Sequence, residues 1–246
     1  LLKIRSCLFC LSLELFFQNG PTHRINFAGL ANFASDQSAI DEEFASIPVV
    51  AVKPDELPPS AETKNRYANV IPLPETRVHL LNTKTGGCSD YINANYVKGP
   101  KREERFYIAC QAPLQSTIED FWRMVWEQQS KVILMLTDFF ENGVVSPPQY
   151  FSFHLSIFFA FLLFYCSKLR IKDLQEVQHR ENNLFSVCNH HLARVYMKNN
   201  TGPNVVHCSP GTGRTGTVIA CDLCIRDFEL TRMVDVPKCV YMLRQF

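Results

Sequence analysis

A cysteine and an arginine, Cys208 and Arg214, are separated by five residues in the segment VVHCSPGTGRTG, which covers positions 205 to 216. An apolar strand pattern precedes the cysteine, and a helical pattern follows the glycines from Thr217 to Glu229. Backbone N–H groups in a glycine-rich turn and at a helix N-terminus attract anions. A guanidinium can bind two phosphate oxygens at once. The pattern therefore predicts a strand, a phosphate-binding loop and a helix, in that order.

The predicted loop also contains the groups that covalent phosphate transfer needs. We expect Cys208 to be the nucleophile, because the loop amides, the helix terminus and Arg214 would stabilise its thiolate. Attack on phosphorus would form a cysteinyl-phosphate that water hydrolyses, a route that requires no metal ion and no other cofactor. Thr215 is expected to hydrogen-bond the leaving sulfur, and His207 to support the loop from behind. An inert buried cysteine beside a glycine turn is the alternative, but this spacing is far more specific than a lone glycine motif.

The rest of the loop is expected to hold the phosphate. Glycine accepts positive φ without steric cost, so we expect Gly211, Gly213 and Gly216 to adopt unusual backbone angles that aim successive N–H groups inward. Arg214 would act as a clamp that follows the charge developing in the transition state. The residues predicted to contact the phosphate are Ser209, Pro210, Gly211, Thr212 and Gly213.

At these residues the sequence resembles the classical protein tyrosine phosphatases, and the resemblance continues upstream. The segment KNRYANV, from Lys64 to Val70, resembles the phosphotyrosine-recognition loop of the family. This resemblance implies that Tyr67 stacks on the substrate ring and makes the pocket deep enough to exclude phosphoserine and phosphothreonine. Asn69 stands where the family usually has an aspartate that holds the substrate backbone. The partners that the resemblance implies are phosphotyrosine-containing proteins.

Further segments resemble the framework of the family in the expected order. They are DYINANY at 90–96, IACQAPL at 108–114, DFWRMVW at 120–126 and KVILMLT at 131–137. In the next loop the resemblance implies that Glu141 pairs with Arg214, whereas Ser146 replaces the lysine of the family. The resemblance covers about 64–150 and 203–245. It implies the cysteine phosphatase fold, an α/β fold with a twisted mixed central sheet flanked by helices.

Residue patterns alone predict several elements of this fold. Short apolar runs predict strands at 77–81, 106–110 and 131–137. The segment 117–127 has a helical pattern, with Thr117 as N-cap and acidic residues in the first turn. Its apolar residues fall on one helical face and are expected to be buried. They are Phe121, Met124 and Val125.

We predict two parts in the chain. Residues 1–60 are a poorly defined N-terminal extension and linker, since they end in the proline-rich stretch VKPDELPPS. Residues 61–246 are the phosphatase domain, atypical at 151–200 and truncated at the C-terminus. The apolar run at 151–166 is too short to span a membrane, because Lys168 and Arg170 end it. A buried helix or strand, or non-coding sequence translated by mistake, are the alternatives for this run.

Two catalytic parts of the family are missing from the sequence. The general acid of the family is an aspartate in a Trp-Pro-Asp loop, but no tryptophan follows Trp126. Asp173 is the only aspartate between Asp138 and Cys208, and it has neither tryptophan nor proline beside it. The glutamine-bearing loop that orients water in the family is also not found. We therefore expect impaired activity, and the alternative is a phosphotyrosine-binding module without efficient turnover.

Composition restricts the other function classes. The 25 basic residues nearly balance the 24 acidic ones, so we expect neither nucleic acid nor an anionic membrane as partner. Ten scattered cysteines in a globular composition favour a reducing, cytoplasmic location. We expect a monomer. A zinc site is a weaker hypothesis, because its candidate ligands lack a partner pair at normal spacing. These candidates are Cys221 with Cys224, and Cys188 with His190 and His191.

Overall fold

A computed structural model of the chain describes residues 20–49, 61–81, 90–100, 103–137, 140–141, 144–145, 197 and 202–246. Several predicted features lie outside the described residues, namely Ser146, the apolar run at 151–166, Asp173 and the group of Cys188, His190 and His191. The chain forms two compact units. One contains residues 53–218, and the other contains residues 1–52 together with 219–246.

The described elements follow in chain order. The strands are β1 (Arg24–Ile25), β2 (Arg77–His79), β3 (Tyr91–Val97), β4 (Tyr107–Gln111), β5 (Ile133–Met135), β6 (Phe140–Glu141), β7 (Val144–Val145), β8 (Asn204–Cys208) and β9 (Val234–Asp235). The helices are α1 (Phe27–Phe33), α2 (Gln37–Ser46), α3 (Ile118–Glu127), α4 (Gly213–Thr231) and α5 (Val236–Leu243). Two short 3-10 turns cover Ala61–Lys64 and Gln115–Thr117.

The unit of residues 53–218 contains a five-stranded mixed sheet in the order β2-β3-β4-β8-β5. β2, β3 and β4 pair antiparallel, whereas β8 is parallel to both of its neighbours, β4 and β5. All five residues of β8 are buried, as expected for a central strand that is covered on both faces. This architecture confirms the predicted α/β fold with a mixed sheet flanked by helices.

Apolar side chains of the sheet and of α3 form one core. Val78, Ile108 and Val205 contribute from three strands and are completely buried. Phe121 and Met124 of α3 pack against them, as their helical spacing predicts. The core therefore lies beneath the strands that lead to the predicted loop.

The predicted elements agree with the observed ones apart from details at their ends. The predicted strand at 131–137 is shorter and covers Ile133–Met135, and α4 begins at Gly213 rather than at Thr217. Thr117 is the N-cap residue of α3, as predicted, but its side chain makes no capping hydrogen bond. The Thr117 hydroxyl instead accepts a hydrogen bond from the backbone N–H of Leu114 at 2.9 Å, because a 3-10 turn precedes the helix.

The second unit joins the beginning of the described chain to its end. β1 pairs antiparallel with β9, so that Arg24 lies opposite Asp235. Asp235 also caps α5, since its carboxylate accepts the backbone N–H of Lys238 at 3.2 Å. Arg244 donates to the carbonyl of Ile47 at 2.6 Å. Part of the predicted N-terminal extension thus forms a strand and two helices. None of the described helices is long and apolar enough to cross a membrane.

Candidate active site

The predicted loop lies between the central strand and a long helix. β8 ends at Cys208, which is only 1% exposed, and α4 begins at Gly213. The backbone N–H of Ala112, just beyond β4, donates to the carbonyl of Cys208 at 2.8 Å and to that of Ser209 at 3.2 Å. The N–H of Gly216 donates to the carbonyl of Thr212 at 2.7 Å. Both ends of the loop are therefore fixed by backbone hydrogen bonds.

Gly211 is the glycine of this loop at which no other residue fits. Its φ is +84°, in the region that favours glycine. A Cβ atom there would lie 2.5 Å from the carbonyl carbon and oxygen of Cys110, where no atom fits. Gly213 and Gly216 differ, because a Cβ atom on either has nothing within 4 Å and neither has a positive φ. The expectation of unusual backbone angles is thus confirmed for Gly211 and wrong for the other two, which lie in α4.

Arg214 lies in the first turn of α4 and is exposed. Its Nη1 donates to the carbonyl oxygen of Leu136, the residue after β5, at 2.8 Å. The N–H of Leu136 in turn donates to the carbonyl of His207 at 2.9 Å. The guanidinium is thereby held at the end of the sheet where β8 enters the loop. The side chain of Glu141, its predicted partner, lies outside the described part of the structure.

His207 and Thr215 are completely buried on the two sides of the loop sequence. The imidazole of His207 meets the ring of Phe121 edge to face, with centroids 5.9 Å apart. Burial lowers the pKa of His207 to about 4, and the charge of Arg66 acts in the same direction, so the ring is neutral at pH 7. The Thr215 hydroxyl has no hydrogen-bond partner among the described residues. Its predicted hydrogen bond to the sulfur of Cys208 is therefore not formed in this structure, since Cys208 is among those residues.

Gln111 connects the predicted recognition loop to the phosphate loop. It lies opposite Cys208 in the parallel register of β4 and β8. Its side-chain oxygen accepts the backbone N–H of Arg66 at 2.8 Å, and its amide donates to the carbonyl of Lys64 at 2.7 Å. The motif IACQAPL contains Gln111, but the sequence alone did not indicate this positioning role.

The charged side chains of the predicted recognition loop also form hydrogen bonds and an ion pair with neighbouring elements. The Arg66 guanidinium donates to the carbonyls of Ala112 at 3.1 Å and Pro113 at 2.8 Å. Lys64 forms an ion pair with Asp120 of α3, with 2.7 Å between nitrogen and oxygen. The recognition loop is therefore attached both to the end of β4 and to the first turn of α3.

These hydrogen bonds and the ion pair place Tyr67 next to the predicted phosphate loop. Its phenolic oxygen lies 3.0 Å from the hydroxyl oxygen of Ser209, the residue after Cys208. The Tyr67 side chain remains 43% exposed, so its ring is open to a ligand. Asn69, two residues further, is also exposed. Two segments far apart in sequence thus meet at one site, as the recognition-loop prediction requires.

The described residues offer no group of three or more histidine, cysteine, aspartate or glutamate side chains that would hold a metal ion. Of the candidate zinc ligands, Cys221 and Cys224 lie in α4 and belong to the unit of residues 1–52 and 219–246. The described structure therefore gives no metal-holding group that includes this cysteine pair.

Comparison with known proteins agrees with the geometry of the site. A sequence model of the family described as "Protein-tyrosine phosphatase" matches residues 61–161 and 171–246. Tyrosine-protein phosphatase non-receptor type 7 of Mus musculus is 33% identical over an alignment of 264 positions, which covers 94% of this chain and 72% of that protein. The Homo sapiens protein of the same name is 33% identical over 265 residues, with the same coverage.

A protein from a third organism is also similar. Tyrosine-protein phosphatase 3 of Dictyostelium discoideum is 37% identical over 207 residues, covering 70% of this chain and 21% of that protein. The mouse alignment of 264 positions is longer than this chain of 246 residues, so that relative contains residues without a counterpart here. The chain belongs to the protein-tyrosine phosphatase family, an enzyme class that removes phosphate from tyrosine side chains of proteins.

Proposed function

We propose that the chain hydrolyses phosphotyrosine in proteins with Cys208 as nucleophile and Arg214 as phosphate clamp. The observation that carries this proposal is the 3.0 Å contact between Tyr67 and Ser209, which joins an aromatic residue to the loop that starts at Cys208. A phosphotyrosine ring beside Tyr67 has its phosphate pointed at that loop. The shorter side chain of phosphoserine does not bridge the same distance.

The first chemical step uses the loop and the helix that follows it. The phosphate binds to the loop from Ser209 to Gly213, where backbone N–H groups and the N-terminus of α4 provide positive potential. Arg214 binds two phosphate oxygens and follows their charge in the transition state. The thiolate of Cys208 attacks phosphorus, the bond to the tyrosyl oxygen breaks, and the phenolate that leaves takes a proton from solvent water.

The second step releases the phosphate. Water attacks the cysteinyl-phosphate, the sulfur–phosphorus bond breaks, and the thiolate of Cys208 is restored as water gives up a proton. We expect the buried hydroxyl of Thr215, which has no hydrogen-bond partner among the described residues, to turn toward the departing sulfur and donate to it. His207, neutral and packed on Phe121, keeps the strand end in place rather than taking part in proton transfer.

Tyr67 sets the preference for phosphotyrosine in this proposal. Tyr67→Phe keeps the ring and removes only the contact with Ser209, so we expect KM for a phosphotyrosyl peptide to change less than about threefold. Tyr67→Ala removes the ring, and we expect kcat/KM to fall by about tenfold or more, because stacking is lost. Steady-state kinetics on the two variants separates the role of the ring from that of the hydroxyl.

The decisive comparison uses two peptides of the same sequence, one with phosphotyrosine and one with phosphoserine. We expect phosphate release from the first only, and none from either peptide with Cys208→Ser. Equal release from both peptides would contradict the role of Tyr67. Release by Cys208→Ser would contradict the nucleophile. Circular dichroism of each variant controls for folding.

We also propose that the protein acts as a monomer in the cytoplasm on protein partners. The relatives named as non-receptor phosphatases support this location. The five cysteines that the structure describes carry free thiols, which suits a reducing compartment. The near balance of 25 basic and 24 acidic residues supports proteins rather than nucleic acids as partners. Light scattering on purified protein tests the monomer, and fractionation of cells tests the location.

A further inference from the structure

Three cysteines that the proposed reaction does not use lie together in the unit of residues 1–52 and 219–246. Cys221 and Cys224 are on α4, and Cys239 is on α5. Cys221 is exposed, Cys224 is partly exposed, and Cys239 is buried with 6% of its surface exposed. All three have free thiols. The group therefore combines an accessible face with a buried sulfur.

The sulfur of Cys239 lies against the helical turn that carries Cys224. It is 3.8 Å from the carbonyl oxygen of Ala220. In an α-helix that carbonyl also accepts the backbone N–H four residues later, which here belongs to Cys224. The thiols of Cys224 and Cys239 interact with each other, and each shifts the pKa of the other. The two thiols are thus in contact across the packing of two helices.

Cys224 and Cys239 are better placed for a disulfide than Cys221 and Cys224. Residues three apart on a helix have Cβ atoms about 5–6 Å apart. A disulfide needs a Cβ separation of about 3.5–4.5 Å, so a bond between Cys221 and Cys224 would distort α4. Cys239 comes from another helix and its side chain already meets that of Cys224.

The surroundings of the two thiols shift their pKa values in opposite directions. The hydrogen bond from Cys239 lowers the pKa of Cys224, although burial and the carboxylates of Asp227 and Asp235 act in the opposite direction. The same hydrogen bond, together with burial, raises the pKa of Cys239. Because Cys224 is also the more exposed of the two thiols, we expect it to react with an oxidant first and Cys239 to react second.

We propose that Cys224 and Cys239 form a reversible disulfide between α4 and α5 when the protein meets hydrogen peroxide. The thiolate of Cys224 attacks one peroxide oxygen, the O–O bond breaks, and a sulfenic acid and hydroxide form. The sulfur of Cys239 then attacks the sulfur of Cys224, the S–O bond breaks, and water leaves with the thiol proton. Two thiols lose two electrons in total, and one peroxide becomes two waters. A dithiol reductant restores both thiols.

The disulfide has a measurable effect on stability. It closes a loop of about 15 residues in the unfolded chain, which lowers the entropy of the unfolded state. For a protein of this size we expect the oxidised form to unfold about 5 °C or more above the reduced form. Cys221→Ser should show the same difference, and Cys239→Ser should show none.

Peptide mapping of the full chain tests the proposal directly. The protein is treated with hydrogen peroxide, free thiols are blocked with iodoacetamide, and digestion with trypsin and an Asp-specific protease follows without reductant. Cleavage before Asp222 separates Cys221 from Cys224, so the peptides 222–226 and 239–244 each contain one cysteine. We expect these two peptides as one disulfide-linked species that reductant splits.

Two results would overturn the proposal. One is a link between Cys221 and Cys224, and the other is alkylated or irreversibly oxidised Cys224 without a link to Cys239 in protein that remains folded. Because the peptide map uses the natural chain, it tests whether the disulfide forms even if Cys239→Ser does not fold.

Discussion

Gly211 shows how a single residue determines the shape of the phosphate loop. Its φ is positive, and a Cβ atom at this position would lie 2.5 Å from the Cys110 backbone, so there is no room for a side chain. We expect Gly211→Ala to lower the free energy of unfolding by about 1–3 kcal/mol and to remove phosphatase activity. Guanidinium denaturation and kinetics measure the two effects.

Gly216→Ala is the matched control for this prediction, since a Cβ atom at Gly216 meets nothing within 4 Å. Gly216 lies in the first turn of α4, and alanine favours helix there, so stability should rise by up to about 1 kcal/mol. Equal destabilisation by Gly211→Ala and Gly216→Ala would show that the backbone approach at Gly211 is not what matters.

His207 makes stability depend on pH. Burial lowers its pKa to about 4 in the folded protein, against about 6.5 in the unfolded chain. Between these values the unfolded chain binds a proton that the folded protein does not, so stability falls as pH decreases. The contribution is fully present above pH 6.5 and falls by about 3 kcal/mol down to pH 4.

The measurement is denaturant unfolding at several pH values for the natural chain and for His207→Asn. The variant cannot titrate at this position, so its stability should fall less between pH 6.5 and pH 4. Parallel pH profiles for the two proteins would contradict the buried, neutral histidine.

Among the elements, α5 depends on one capping residue that also connects distant chain segments. The carboxylate of Asp235 accepts the backbone N–H of Lys238 at 3.2 Å and that of His23 at 3.0 Å, and the hydroxyl of Thr22 also donates to it. We expect Asp235→Ala to lower the free energy of unfolding by about 1–2 kcal/mol. Asp235→Asn keeps an acceptor oxygen and should lose less. Equal losses in urea denaturation would contradict the capping role.

The elements also show what sequence reasoning can and cannot predict. The strand before Cys208, the glycine loop and α4 were predictable, because apolar runs, glycines and helical spacing are local signals. The bracing by Gln111 was not, since it depends on the register between β4 and β8. The contact of Asp235 with residues 22 and 23 was not predictable either, because it joins segments more than 200 positions apart.

The three glycines illustrate the same limit within one motif. They look equivalent in the sequence, yet Gly211 alone of the three has a positive φ and a close backbone neighbour. That difference arises from β4, whose Cys110 backbone approaches the loop. Only packing against another element distinguishes a required glycine from a tolerated one.

At the scale of the whole molecule, some catalytic parts of the family are found in the sequence and others are not. The loop predicted to bind phosphate and the predicted recognition loop lie next to each other, but residues 127–246 contain no tryptophan for the Trp-Pro-Asp loop of the family. A general acid contributes about a hundredfold to ten-thousandfold to such reactions. Without such an acid, we expect the rate of hydrolysis to depend on how readily the substrate oxygen leaves without being protonated.

A series of aryl phosphates tests this dependence. Without a general acid, kcat/KM should fall steeply as the pKa of the leaving phenol rises, and unsubstituted phenyl phosphate should react about a hundredfold or more slowly than p-nitrophenyl phosphate. A flat series would show that another residue protonates the leaving oxygen. Replacing Asp173 by asparagine would then identify or exclude that aspartate as the acid.

The most direct test of the central claim is hydrolysis of p-nitrophenyl phosphate by the purified chain and by Cys208→Ser, because this leaving group needs little help from an acid. We predict turnover by the natural chain and its loss in Cys208→Ser, with both proteins folded by circular dichroism. Turnover that persists in Cys208→Ser, or none from the folded natural chain, would contradict Cys208 as the nucleophile of a working phosphate loop.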